Sequence, residues 1–145
     1  MYIKEYDGRK YFFYTSADFE TDFPLLIKRI RELEKTRMPG FTGVKGINRG
    51  GDQIALWLSH ALNVETVSGG VTKNTIVADD IADTGSTLLT YKNRDVIIVT
   101  LFYHRQSLIV PHIWLHEKTP DIHEVIYPWE RYSPRILTMF PLPSP

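Results

Sequence analysis

Apolar positions along this chain switch between a period near two and a period near three and a half, and the switches mark the predicted elements. Residues 10–14 form an aromatic, β-prone run. After it, Thr15, Ser16 and Asp22 are candidate caps for a helical stretch reaching about Arg37, with Pro24 suited to its first turn. Leu26, Ile27, Ile30 and Leu33 recur at helical spacing opposite Lys28, Arg29, Arg31, Glu32 and Lys35, which predicts an amphipathic helix lying on a sheet. Met38, Pro39 and Gly40 end it. Residues 43–47 then read as a strand, 48–51 as a tight loop, and 52–62 as a helix with Ile54, Ala55, Leu58 and Leu62 inward. Residues 64–67 and 75–79 predict further strands, and 86–92 a short helix. The most continuous apolar run, 95–103, is a strand buried on both faces. Outer strands are expected over 112–116 and 124–127. The expected architecture is α/β: one domain over residues 1–140, doubly wound, with a mostly parallel sheet and helices on both faces, followed by an extended Pro-rich tail at 141–145.

Composition narrows the function classes. The chain has 145 residues, with 17 basic and 17 acidic side chains, so no global field draws it to nucleic acid or an anionic membrane. Cysteine is absent, which excludes disulfides, thiolate metal sites and cysteine nucleophiles. The opening residues show no apolar leader core, and no apolar run approaches a membrane span. The expectation is a cytoplasmic protein with neither nucleic acid nor membrane among its partners.

The chemistry concentrates in residues 74–88. An apolar strand ends in Asp79 and Asp80; Ile81 and Ala82 follow, then Asp83, Thr84, Gly85, Ser86 and Thr87, before the apolar pattern resumes. A loop of N–H groups and hydroxyls at a helix start suits a phosphate dianion. Carboxylates at the carboxyl end of a strand occupy the usual ligand position of an open α/β sheet. A second glycine-rich turn between strand and helix, Asn48, Arg49, Gly50 and Gly51, places a cation where the backbone can approach an anion closely.

This order of residues resembles the phosphoribosyl diphosphate signature of the type I phosphoribosyltransferases, filled here by Ile76, Val77, Asp79, Asp80, Ile81, Ala82, Asp83, Thr84, Gly85 and Thr87. The Arg49-Gly50-Gly51 turn resembles the pyrophosphate loop of the xanthine-guanine and hypoxanthine branch, in which the peptide before the basic residue is cis. The resemblance implies transfer of a 5-phosphoribosyl group from phosphoribosyl diphosphate to a nucleobase, a purine in salvage, with release of pyrophosphate. It implies Asp79 and Asp80 at the ribose hydroxyls and at a Mg2+ ion, Ala82 to Thr87 around the 5′-phosphate, and Asn48 to Gly51 on pyrophosphate. Asp83 would serve as general base or hydrogen-bond acceptor for a base nitrogen, and the family's habit is a homodimer or homotetramer.

The carboxyl-terminal third resembles the purine branch at Tyr127, Pro128, Trp129 and Glu130, with departures before it. His104, beside Arg105, stands where the family has a base-reading lysine, and Glu124 where it has a stacking aromatic; Val125 remains to contact a flat base. The connection at residues 68–73 is far shorter than the family's closing loop. A non-catalytic nucleotide or phosphoribosyl diphosphate sensor shares every phosphate-binding feature and accounts for that short connection. A phospho-acceptor domain would use Asp79 or Asp80 but has no need of Gly50 and Gly51. His112, His116 and His123 lack a carboxylate-histidine signature for metal, and Trp57 and Trp114 read as core or subunit contacts.

Overall fold

The computed structural model describes all residues, 1–145. In chain order its elements are β1 (Tyr2–Tyr6), β2 (Arg9–Phe13), α1 (Ser16–Glu34), β3 (Gly43–Gly46), α2 (Gly50–Leu62), β4 (Glu65–Thr66), β5 (Thr75–Ala82), β6 (Ile97–Tyr103), β7 (His116–Glu117), β8 (Ile122–Ile126) and α3 (Pro134–Met139). Short 3-10 turns cover Leu88–Tyr91 and Pro128–Glu130. Within this architecture residues 1–21 and 119–145 cluster as one unit and 22–118 as another.

In the first unit β1 and β2 form an antiparallel hairpin. Asp7 and Gly8 turn it, with φ of 49° and 69°, the pair of positive values that a two-residue primed turn requires. β1 lies outside the elements predicted from the sequence. β8 adds to β2 in parallel. Tyr11, Phe13, Ile126, Ile136 and Phe140 form the unit's buried cluster, with Phe140 edge-on to both Tyr11 and Phe13. The expected strand at 124–127 is β8, shifted towards the amino terminus, while α3 was not foreseen; residues 141–145 have no regular structure and are exposed.

The start of α1 selects Thr15 among the three candidate caps and corrects the expectation that Pro24 lies in the first turn. Thr15 caps it: the Asp18 N–H donates to Thr15 Oγ1 at 3.2 Å, and the Thr15 N–H donates to Asp18 Oδ2 at 2.8 Å. Asp22 and Pro24 therefore lie inside the helix, where Pro24 withholds one N–H donor. The reciprocal Thr15–Asp18 bonds outweigh the helix-start signal of Pro24.

The second unit holds a five-stranded parallel sheet in the order β4-β3-β5-β6-β7. Val77, Ala82, Val96, Ile98 and Ile109 pack with Leu88 of the 3-10 turn in one cluster. Alternation along the strands leaves Ile76, Ala78, Ile97 and Val99, all buried, for the opposite face. α2 packs against β3 and β5 and contributes no residue to the first cluster, so the sheet is covered on both sides. Ile54, Ala55, Leu58 and Leu62 are its buried residues, as the periodicity predicts. From β3 the chain moves outward to β4 and then returns past β3 to β5. That reversal makes the carboxyl ends of β3 and β5 the switch point, where open α/β sheets bind ligands.

Candidate functional site

Both sequence-identified loops leave the sheet at this switch point. β3 ends at Gly46, and the Ile47 N–H donates to the Ala78 carbonyl at 2.9 Å, tying the first loop to β5. The Asn48–Arg49 peptide is cis. Arg49 is exposed and precedes the first turn of α2. Glycine is needed here for close approach: a Cβ at Gly50 would overlap the Asp80 carboxylate, and one at Gly51 the Ala78 carbonyl. Arg49, Gly50 and Asp80 are thereby brought to one place. Beside them opens a cleft of about 630 Å³ lined by Lys45, Gly46, Asn48, Asp52, Gln53 and Ser68, among others.

β5 runs three residues beyond its expected end, so Asp79 and Asp80 belong to the strand and the loop begins at Asp83. Asp79 Oδ1 accepts from the Asp80 N–H at 2.9 Å. Burial first, and then the neighbouring Asp80 charge, push the Asp79 carboxyl up to about 8. Burial also raises Asp80. Two adjacent acids whose ionisation is disfavoured in this way offer hard oxygen donors whose charge a divalent cation would offset. No group of three or more His, Cys, Asp or Glu side chains gathers for an all-protein metal cage. This donor set fits Mg2+, which typically takes one or two carboxylates and completes its shell with water and substrate phosphates.

The loop after β5 is pinned by its neighbours. Gly85 adopts a φ of 78°, and a Cβ there would press on the Leu108 and Ile109 N–H groups at 2.9 Å. The Thr84 carbonyl accepts from the Leu108 N–H at 2.9 Å, and the Thr84 and Ser86 hydroxyls bond each other at 2.7 Å. The expected helix over 86–92 is only the 3-10 turn Leu88–Tyr91; the Thr90 hydroxyl donates to the Thr87 carbonyl within it. A four-residue turn brings no macrodipole, so the donors this loop offers to an anion are its own N–H groups and hydroxyls.

Three neighbouring strands then set three side chains in a row. Ala82 pairs with Tyr103 and Tyr103 with Glu117 in parallel register, so the next positions, Asp83, His104 and Lys118, lie side by side. His104 Nδ1 is 2.8 Å from Asp83 Oδ1, Lys118 Nζ donates to Asp83 Oδ2 at 2.9 Å, and Gln106 Nε2 donates to Oδ1 at 2.9 Å. The Lys118 side chain is only 5 % exposed. Partial burial works to raise the Asp83 carboxyl, but the bonds from His104, Lys118 and Gln106 and the Lys118 charge outweigh it and hold it below the usual carboxylate range.

Solved structures share the fold that carries these loops. The chain superposes on a purine phosphoribosyltransferase from Pyrococcus horikoshii with a TM-score of 0.70 at 18% identity, covering 93% of this chain and 99% of that one. On the xanthine-guanine-hypoxanthine phosphoribosyltransferase of Helicobacter pylori the TM-score is 0.68 at 16% identity, with 83% and 92% covered. The fold is that of the type I phosphoribosyltransferases. A hypothetical protein from Neisseria gonorrhoeae with bound ppGpp is also similar, with a TM-score of 0.62, 16% identity, and 85% and 90% covered. No family model and no curated protein sequence matches the chain.

Within the type I phosphoribosyltransferase fold, Asn48, Arg49, Gly50, Gly51, Asp79, Asp80, Ala82 to Thr87 and His104 all belong to the unit of residues 22–118. Val125 belongs to the other unit, where its side chain is buried in β8 and its partner in register is Phe12. Glu124 is held by Arg135 through two bonds of 2.6 and 2.8 Å. The short connection at 68–73 is fastened to β3, since Lys45 Nζ donates to the Ser68 and Gly69 carbonyls at 3.1 and 2.9 Å. Sequence reasoning missed Lys118 and Gln106. The register of β6 and β7 that delivers Lys118 has no local sequence signature, and Gln106 lies in an unremarkable turn. His112 and His116 are separated in role: His112 Nδ1 accepts from the Ile98 N–H at 2.9 Å, while His116 Nε2 faces Asp22 Oδ2 at 2.5 Å. No helix is long and apolar enough to cross a membrane.

Proposed function

We propose that the protein is a phosphoribosyltransferase that transfers the 5-phosphoribosyl group of phosphoribosyl diphosphate to a nucleobase of the purine type and releases pyrophosphate. The observation that carries this reading is the convergence, at the β3–β5 switch point, of a glycine-framed Arg49 loop with the Asp79–Thr87 strand and loop. Two anion-binding turns with a carboxylate pair at the same switch point match a substrate with a phosphate at one end, a ribose diol between, and a pyrophosphate at the other.

In this reading Thr84, Gly85, Ser86 and Thr87, with the Ala82 and Asp83 backbone, hold the 5′-phosphate. Asn48, Arg49, Gly50 and Gly51 hold the pyrophosphate beside the Asn48- and Ser68-lined cleft. Asp79 and Asp80 orient the ribose hydroxyls and would hold Mg2+, whose charge, when bound, offsets that of the departing pyrophosphate. Asp83 sits at the base end, ionised and fixed. The reaction develops positive charge on the ribose, and the residues act chiefly by placing charge around it. The same reading includes one functional domain over residues 1–140, a cytoplasmic setting, and a homodimer or homotetramer.

The test is incubation with phosphoribosyl diphosphate, magnesium and a panel of purine and pyrimidine bases, following nucleotide and pyrophosphate together. Stoichiometric nucleotide and pyrophosphate from at least one base is the expected result. A second reading, a nucleotide sensor, is favoured by the tethered short connection at 68–73 and by the ppGpp-bound neighbour. It predicts saturable nucleotide or phosphoribosyl diphosphate binding with no product from any base, and that outcome would remove the transferase reading.

A further inference from the structure

Asp83 is already occupied by the protein. His104 and Gln106 converge on Oδ1, and the buried Lys118 ammonium takes Oδ2. An ionised carboxylate offers about four acceptor positions, and three are taken. The group is therefore well placed to orient its neighbours and poorly placed to receive a substrate proton.

His104 is built the opposite way. Its N–H continues the strand ladder by donating to the Ala82 carbonyl at 3.0 Å, which fixes the backbone beside Asp83. The residue is 9% exposed. Its Nδ1 faces an oxygen that only accepts, so in the neutral ring Nδ1 carries the hydrogen and Nε2 carries the lone pair. Nε2 has no hydrogen-bond partner in the chain. The other charged groups at this point are Asp83, Lys118, which balances it, and the Arg105–Glu117 pair, closed at 2.6 Å. This is the arrangement of a carboxylate-oriented general base, in which the acid fixes the tautomer and the imidazole does the proton transfer.

Resting on the transferase reading above, we infer that Nε2 of His104, rather than Asp83, receives the proton released when the base is glycosylated. In that step a fused-imidazole base bearing a hydrogen on one imidazole nitrogen attacks C1′ of the ribose through the other. The C1′–O bond breaks and its electron pair leaves on pyrophosphate. The electron pair of the base N–H bond stays in the base ring, and the proton passes to His104 Nε2. The resulting imidazolium is held by ionised Asp83 until water removes the proton. Asp83 is the positioning residue in this scheme and His104 the catalytic one. The inference also selects acceptors: bases without a ring N–H beside the attacking nitrogen have nothing to give Nε2.

The experiment compares wild type with His104→Gln and His104→Ala for kcat, KM and phosphoribosyl diphosphate affinity, with and without added imidazole. It also records the tautomer of His104 in the wild-type protein by 15N NMR. The expected results are a kcat lowered ~100-fold or more in His104→Gln, an unchanged affinity for phosphoribosyl diphosphate, partial restoration of His104→Ala by imidazole, and an Nδ1–H tautomer. Wild-type turnover with a His104→Gln kcat within about threefold of it overturns the inference while leaving the transferase reading intact. No product from wild type with any base overturns the transferase reading and the inference with it. A neutral ring protonated on Nε2 removes the dyad whatever the turnover, and this measurement stands even if both variants fold poorly.

Discussion

Lys118 Nζ lies 2.9 Å from Asp83 Oδ2 across the ends of three parallel strands, and its side chain is 5% exposed against 37% for the carboxylate. A lysine this deeply buried depends on its counterion, because removing one partner leaves an uncompensated charge out of water. Asp83→Asn is therefore expected to destabilise the protein by about 2 kcal/mol, below the value for a fully buried pair because the carboxylate is partly solvated. Lys118→Met should cost less, since Asp83 keeps His104 and Gln106 and can turn to water. Adding Lys118→Met to Asp83→Asn should recover part of the loss, which denaturant unfolding of the four proteins would reveal. Equal losses in both single variants with full additivity in the double would contradict the pairing.

The lowered Asp83 carboxyl carries a pH signature. A carboxyl whose folded pKa lies below its unfolded value near 3.8 binds fewer protons when folded. Its contribution to stability is complete above that unfolded value and disappears as pH falls through the folded one. The difference in Tm between wild type and Asp83→Asn should stay constant from pH 7 to about 5 and close below about 4. A gap that persists unchanged at pH 2.5 would show that Asp83 stabilises by something other than its ionised form.

Much of this site was legible because its determinants are local. The apolar run into Asp79 and Asp80, the Arg49-Gly50-Gly51 turn and the Asp83-Thr84-Gly85 loop are each written in a few consecutive residues, even though the close approaches that require Gly50 and Gly51 are to Asp80 and Ala78 on another strand. The paired helix-packing positions of α2 were legible for the same reason. What stayed hidden depends on register between distant segments. Lys118 meets Asp83 because β7 aligns Tyr103 with Glu117, and β7 has only two residues. The length of β5 was misjudged because Asp79 and Asp80 look like a strand end, whereas β6 continues to pair with it through Ala82. Pro24 misled for the complementary reason: the Thr15–Asp18 bonds decide where α1 starts, and proline position is the weaker cue.

Gly50→Ala sets two effects against each other. Alanine favours the first turn of α2, by up to about 1 kcal/mol over glycine, but its methyl group would overlap the Asp80 carboxylate. The carboxylate is the end of a side chain and can swing away, so the fold should stay within about 1 kcal/mol of wild type. The displaced Asp80 no longer lies under the Arg49 loop. Calorimetric titration with magnesium pyrophosphate is expected to show at least a tenfold weaker Kd, equivalent to about 1.4 kcal/mol. An unchanged Kd would mean that pyrophosphate does not use this loop.

Asp79 offers the opposite trade between stability and function. Burial and the Asp80 charge push its carboxyl up to about 8, so near neutral pH the ligand-free protein retains a proton there that the unfolded chain releases. Stability from this group falls as pH rises from about 4 towards 8, because the folded state binds more protons than the unfolded one across that window. Asp79→Asn keeps the shape and removes the cost of burying a second charge. The ligand-free variant is expected to melt about 2–4 °C higher at pH 8, the shift that about 1 kcal/mol produces in a domain of this size. It should lose the pH slope between 4 and 8, and bind magnesium phosphoribosyl diphosphate more weakly than wild type. Thermal melts across that pH range, paired with titration of the ligand, separate the two effects. A variant that melts lower and binds as tightly as wild type would show that Asp79 is a structural acid and that the cation is held elsewhere.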